Sequence, residues 1–424
     1  MRRPEAPAKQ MPRRRVAITG LGLISPIGLD VPQHLHSLRA ARSGIRPVQA
    51  PPIRKEFAAG AVPERFEEHF TKLELPFLDR CQQLAILAAR QASDAAGIGD
   101  YEAYGQRAGV YYSNINGGTA TIMGWFDDLL IKGKQASRPF TAMAIMGNAG
   151  GAQVAIRQRV IGPVLSYSSA CASSGIAIGE AARAIADGYI DVALAGGAEA
   201  PLTSGVLGIF EGSRAMSSPD AEDPARTCKP FSSARSGLVL GEGSAWMVLE
   251  SEEAALARGA TIHAYVSGYG VSCDAHHIGM PESSGQVRAL RAALASAGLD
   301  AHEVGYINAH ATATHGGDMI ESAAIREVFG AGPDAPWVSS TKAVHGHLIG
   351  ATSALELALT VLAMQDALLP ASAHLGEPDP RCELHHVGDT PIAGVPYRHA
   401  LSFSCGFGGT NAALVVSLPA VAVP

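Results

Sequence analysis

Apolar runs of a few residues recur along the chain, each closed by glycine or small polar residues, with stretches of helical spacing between them. Val16-Ala17-Ile18-Thr19-Gly20-Leu21-Gly22 reads as a buried strand entering a glycine-rich turn, and residues 82–96 have the spacing of an amphipathic helix. Residues 109–112, 163–167 and 192–197 read as further strands, with a small-residue helix over 175–186; residues 239–249 close this series as an edge or returning strand. A charged helix over 251–258 leads to a second series. Strands are expected at 262–266, 304–308, 337–340, 400–403 and 412–416, and helices at 287–297, 318–329 and from about residue 350. Such alternation predicts an α/β protein with a mostly parallel sheet and helices on its faces.

The two series divide the chain into halves, 13–258 and 259–424, with no low-complexity linker between them, so they are expected to pack as one body. Val164-Leu165-Ser166-Tyr167-Ser168 before a small-residue helix echoes Trp337-Val338-Ser339-Ser340-Thr341 before another. In a chain this rich in Gly, Ala and Ser the echo fits an internal duplication and chance equally well.

Composition narrows the class. With 424 residues, 47% hydrophobic and 17% charged, the chain can bury a large core. Its 33 basic and 39 acidic residues leave a formal charge of −6, which does not favour nucleic acid or an anionic membrane surface. Arg13-Arg14-Arg15 reads as a solvated start to the first strand, with partner docking as the alternative. No apolar stretch is long enough for a membrane span, and residues 1–12 hold no signal-peptide core. The six cysteines are scattered without CxxC spacing, which argues against a disulfide framework or a zinc site and points to a reducing, cytoplasmic setting.

Candidate chemistry starts at Cys171, where a strand breaks into small residues and a helix begins. A helix N-terminus favours thiolate over thiol, which makes Cys171 a candidate nucleophile; the alternative is a small core cysteine. Three other segments place polar, titratable residues at strand ends, where open α/β sheets build their sites. They are residues 308–318, with His310, Thr312, Thr314 and Asp318; residues 340–350, with Lys342 and His347; and residues 402–411, with Cys405 in a glycine-rich turn.

Taken together, these motifs resemble those of β-ketoacyl-acyl-carrier-protein synthases, the elongating condensing enzymes of fatty acid and type II polyketide synthesis. The chain is similar to synthase II of bacterial fatty acid synthesis from Arg15-Val16-Ala17-Ile18-Thr19-Gly20-Leu21-Gly22 to Gly406-Phe407-Gly408-Gly409-Thr410-Asn411. The resemblance implies a thiolase-like fold of two related halves in αβαβα layers, and a dimer, either of two copies or with a chain-length-factor-like subunit. It implies acyl transfer from acyl carrier protein to Cys171, then decarboxylative condensation with a malonyl carrier thioester, with no metal or organic cofactor. His310 and His347 match the pair that donates hydrogen bonds to the enolate oxygen, and the N–H groups of Cys171 and Cys405 would form the oxyanion hole. Lys342 would sit in an orienting network with Asp318 and Glu321. Thr312 and Thr314, whose hydroxyls face the same way on an extended segment, would hold the phosphopantetheine arm.

Departures concern the acyl pocket and docking. Cys405 stands where a gating Phe is expected, with Phe403 as a nearby substitute; the small thiol is otherwise an apolar filler or a second redox group. Asn116 takes the place of an aliphatic residue in the pocket floor, where an amide would limit chain length, admit an unusual acyl group, or serve a structural hydrogen bond. Residues 73–77 lack the basic run that often contacts the acidic carrier, leaving Lys134 and Arg214 as docking candidates or solvated cations. Retention of Cys171 argues against a silent chain-length-factor-like subunit. A Cys-His thioester hydrolase has no need of paired histidines and Lys342, and a nucleotide-binding protein lacks a full GxGxxG fingerprint.

Overall fold

Strand β1 (Val16–Ile24) buries all nine of its residues at the centre of the computed structural model, which describes residues 13–420. The segment 1–12, read above for an export signal, lies outside the described residues. Four more strands follow in the first half: β2 (Ala108–Ser113), β3 (Val164–Tyr167), β4 (Val192–Glu199) and β5 (Gly243–Ser251). The second half contributes β6 (Ala264–Cys273), β7 (Tyr306–Asn308), β8 (Trp337–Ser339), β9 (His399–Gly406) and β10 (Thr410–Ser417).

These ten strands form one sheet in the order β8-β7-β9-β10-β6-β1-β5-β4-β2-β3. Counted outward from the centre, each half reads first, fifth, fourth, second, third strand. The halves meet where Ala17 and Ile18 pair antiparallel with Tyr265 and Ala264. Duplication of one unit accounts for an identical order in both; chance similarity of small-residue segments does not.

The sheet is mixed, which corrects the expectation of a mostly parallel one. Parallel pairing is confined to β2 with β3 and β4, and β7 with β8 and β9. The last strand of each half runs antiparallel to both neighbours, and in the second half this follows from a tight turn through Gly408 and Gly409, both at positive φ. Thus β5 is a returning strand inside the sheet and not an edge.

Side-chain alternation builds the layers. Val192 and Leu194 face helix α1 (Arg80–Ala96) on the outer side of the first half, while Ala193 and Ala195 face inward. Between the half-sheets lie α2 (Ser173–Ala186) and, from the second half, a helix whose residues 352–364 are all buried. That helix lacks a polar face because it has protein on every side. Outside the second half, α3 (Ser283–Ala297) and α4 (His315–Phe329) cover Ile307, Leu401, Ala413 and Val415. The inner helix is α5 (Thr352–Gln365), and the stack reads helix, sheet, helix, sheet, helix. Arg13, Arg14 and Arg15 each pair with surface acids: Asp187, Asp191 and Glu253, and Glu252.

The Gly20-Leu21-Gly22 motif lies inside β1, and its purpose is close packing. A Cβ at Gly22 would sit 1.9 Å from the Ala88 carbonyl oxygen of α1, and one at Gly20 would sit 2.2 Å from that of Ala92. Gly268 and Gly270 repeat the arrangement in β6, at 2.3 and 2.2 Å from the carbonyl oxygens of Ala293 and Ala289 in α3. We expect Gly22→Ala to destabilise the protein by about 2–3 kcal/mol or more, because two backbones must separate. Gly99→Ala, with nothing within 4 Å of its Cβ, should change the urea midpoint negligibly; equal midpoints for the two variants would contradict this account.

Candidate active site

The loops following β3 and β8, and those following β2 and β7, occupy corresponding places in the two halves and meet near the middle of the molecule. After β3 the chain passes Ala170 at φ 48° and reaches Cys171 two residues before α2. Ser173 fixes this bend: its hydroxyl accepts from the Ser169 N–H at 2.7 Å and donates to the Ala170 carbonyl at 2.6 Å. The Cys171 carbonyl accepts from the Ser353 hydroxyl at 2.9 Å, and its Sγ lies 2.9 Å from Nε2 of His347. Burial pushes the thiol up to about 11, opposed by the charge of Lys342 and by two backbone N–H groups, those of Phe407 and Cys171 itself. In the resting site, burial outweighs the lowering expected from the helix N-terminus.

His310 follows β7 and His347 follows β8, and their rings meet edge to face with centroids 5.3 Å apart. Burial, then the Lys342 charge, drives both far below the usual histidine range, so both imidazoles are neutral near pH 7. Cys171, His310 and His347 each offer one ligand atom within 4.8 Å of the others, a set chemically suited to a soft metal ion. A metal held there would withdraw the sulfur from attack.

Lys342, at the start of a short helical turn, is buried, and its Nζ donates to Glu356 Oε1 of α5 at 2.5 Å. This corrects the expected network. Asp318 accepts the Phe231 N–H at 2.9 Å, and Glu321 accepts the N–H groups of His310 and Ala311 at 2.6 and 2.7 Å. Both carboxylates hold backbone and influence Lys342 only through space. Burial raises Glu321 to about 8, Glu356 to about 7 and Asp318 to about 6. A lone glutamate within the apolar run Ala354-Leu355-Glu356-Leu357-Ala358 was the available sequence signal for the true partner, since a buried carboxylate needs one.

A cavity of about 400 Å³ leads from the surface to Cys171, His310 and His347. Thr312 and Thr314 line it with hydroxyls 3.2 Å apart, as does Cys405, while the exposed Arg214 stands on its wall. Two expected pocket assignments and one expected oxyanion-hole donor change. Phe403 is wholly buried in the core beneath α3 and α4. Asn116 is turned to Glu199, its Nδ2 donating to Oε2 at 2.9 Å, and its neighbour Ile115 lines the cavity instead. The second N–H facing the sulfur belongs to Phe407, because Cys405 sits within the β9–β10 ladder opposite Asn411 and the turn beyond it carries Phe407 over the thiol. Phe407 exposes its ring on the cavity wall, as a gating aromatic would. Lys134 lies off the cavity and donates to Asp128 at 2.7 Å.

The arrangement places a nucleophile, two neutral imidazoles and two backbone donors around one small volume open to a channel, the equipment for thioester exchange and for stabilising charge on a carbonyl oxygen.

Models of the β-ketoacyl synthase N-terminal and C-terminal domains match residues 13–255 and 263–376. Nodulation protein E of Rhizobium meliloti (strain 1021) is 40% identical over 403 residues, covering 95% of this chain and 98% of that protein. The 3-oxoacyl-[acyl-carrier-protein] synthase 2 of Staphylococcus aureus (strain COL) is 37% identical over 407 residues, covering 95% and 98%. A solved structure described as the ishigamide ketosynthase/chain length factor superposes with a TM-score of 0.89 at 34% identity, covering 96% of this chain and 100% of that one. The chain thus belongs to the β-ketoacyl synthase family, acyltransferases that form carbon–carbon bonds by condensation.

Proposed function

We propose that this protein elongates acyl chains carried on acyl carrier protein, as in fatty acid or type II polyketide synthesis, with Cys171 as the acyl acceptor. The observation that carries the reading is the 2.9 Å approach of His347 Nε2 to Cys171 Sγ, with His310 beside it at the inner end of the cavity.

In the first half-reaction the sulfur attacks the carrier thioester carbonyl, the carrier sulfur leaves, and the proton given up by Cys171 passes to it. The N–H groups of Cys171 and Phe407 hold the transient oxyanion. Malonyl thioester then enters. Its bond to the carboxylate breaks, carbon dioxide departs, and the electron pair moves onto the thioester oxygen as an enolate. His310 and His347, neutral and therefore free to donate, stabilise that oxygen. The enolate carbon attacks the acyl-Cys171 carbonyl, releasing β-ketoacyl carrier thioester and a thiolate that takes a proton from solvent. These steps balance without a metal or organic cofactor.

Lys342 acts at a distance: its charge favours thiolate at Cys171 and disfavours imidazolium at both histidines. Thr312 and Thr314 lie where the phosphopantetheine arm would thread the channel, and Arg214 is the better placed of the two docking cations. The exposed apolar Val164 and Leu165 on edge strand β3, with Ile161 just before them in the chain and Tyr189 lining the same surface cleft as Leu165, support pairing with a second subunit of the same fold. Among the described residues no helix is long and apolar enough to cross a membrane, and all six cysteines are free, which suits a reducing compartment such as the cytoplasm.

Incubation with acyl-carrier and malonyl-carrier substrates should yield carbon dioxide and a β-ketoacyl product; absence of product with every primer tried would overturn the reading. Cys171→Ala should abolish the acyl-enzyme adduct seen by intact mass. His310→Ala should retain that adduct while slowing malonyl decarboxylation by about 100-fold or more. Because the thiol is raised to about 11, alkylation of Cys171 by iodoacetamide should climb about tenfold per pH unit from pH 7 to 9, followed by peptide mass. A slope that falls well below tenfold between pH 8 and 9 would mean that the resting thiol is not raised.

A further inference from the structure

The two imidazoles beside the thiol are not equivalent. Among the described residues Nδ1 of His310 is buried without a partner, whereas Nδ1 of His347 lies 3.0 Å from the hydroxyl oxygen of Thr352. We propose that Thr352, the first residue of α5, is a positioning residue that holds His347 as its Nε2–H tautomer, making it a hydrogen-bond donor to the reacting atoms and not a base. This rests on the condensing reaction proposed above for what the donor does, but not for which nitrogen carries the proton.

Hydrogen-bond satisfaction decides the tautomer. The Thr352 side chain is fully buried, and His347 Nδ1 is its hydrogen-bond partner among the described residues. If Nδ1 carried the proton, it would donate to Thr352 and strand the hydroxyl proton in the interior, at about 1–3 kcal/mol. If the hydroxyl donates to Nδ1, the ring proton resides on Nε2 and points at Cys171 Sγ, 2.9 Å away. The Cys171 S–H then lacks a neutral acceptor, but a thiol is a weak donor and loses little. Stranding the weak donor is the cheaper choice. A second ring proton is excluded near neutrality by burial and Lys342.

Geometry leaves Thr352 few alternatives. The His347 backbone is pinned on both sides, its N–H donating to Val239 at 2.7 Å and its carbonyl accepting from Gly241 at 2.8 Å. What remains free is rotation of the ring, and the β-branched side chain of Thr352, stiff about χ1, stops it. Glu356 lies one turn further along α5 and holds Lys342, so one helix sets both the tautomer of His347 and the charge that keeps it neutral.

Histidine-selective ¹⁵N–¹H spectra of the resting protein should show His347 protonated at Nε2 and bare at Nδ1, with its signals identified by their loss in His347→Gln. This reads the tautomer whether or not the protein condenses any substrate tried. In turnover, Thr352→Val, which removes the hydroxyl and keeps the shape, should slow malonyl decarboxylation by about 10- to 100-fold with little change in KM, while Thr352→Ser should stay within about threefold of wild type. A proton on Nδ1 of His347 in the wild-type protein, or Thr352→Val decarboxylating at the wild-type rate, would overturn the proposal.

Discussion

The ammonium of Lys342 and the carboxylate of Glu356 face each other at 2.5 Å with almost no exposure to solvent, and the chemistry of the site follows from that pair. Loss of either partner would leave an uncompensated buried charge, at about 3–5 kcal/mol. The pair therefore ties the loop after β8 to α5. The field of Lys342 also reaches the three reacting side chains, counteracting burial at the thiol and reinforcing it at the imidazoles. One cation thus moves opposite kinds of group in the directions condensation requires.

Around this pair the duplicated fold supplies a frame drawn from both halves. Identical strand order places the segments after β2 and β7 in corresponding positions, and each is pinned by a buried glutamate. Glu321 takes the N–H groups of His310 and Ala311; Glu199 takes the Ile115 N–H at 2.5 Å and the Asn116 side chain. The carboxylates hold backbone so that His310 and Ile115 keep their places at the cavity. Cys171 and His347 follow β3 and β8, the outermost strand of each half, and need both halves to meet.

The strands and helices were largely legible because each half-sheet has helices on both sides. Complete burial wrote short apolar runs into the sequence, whereas Gly20 and Gly22, which read as a turn, instead mark a strand against which a helix backbone lies directly. The antiparallel return of β5 and β10 was not legible, since a buried strand reads the same in either direction. Cys171 stood out beside a helix start, but His310, Lys342 and His347 were singled out as a set by their resemblance to condensing-enzyme motifs, since position after an apolar strand marks His315 and His345 equally. Their contacts did not stand out. Asn116 was assigned to the pocket floor by resemblance, with a structural hydrogen bond as the alternative, and Phe403 by its closeness to the final turn; loop and strand direction gave Asn116 that hydrogen bond to Glu199 and turned Phe403 into the core.

By itself the sequence determined the kinds of element and their order, because burial is a local property of residue type, and its resemblance to condensing-enzyme motifs picked out the residues that carry chemistry. Tertiary structure alone decided which nitrogen meets the thiol, that Phe407 rather than Cys405 brings the second N–H to it, that Glu356 balances Lys342, and that the thiol is raised in the resting site. Those outcomes depend on distances between segments far apart in the chain and on how much water packing leaves around each group. Periodicity and motif spacing do not encode either quantity.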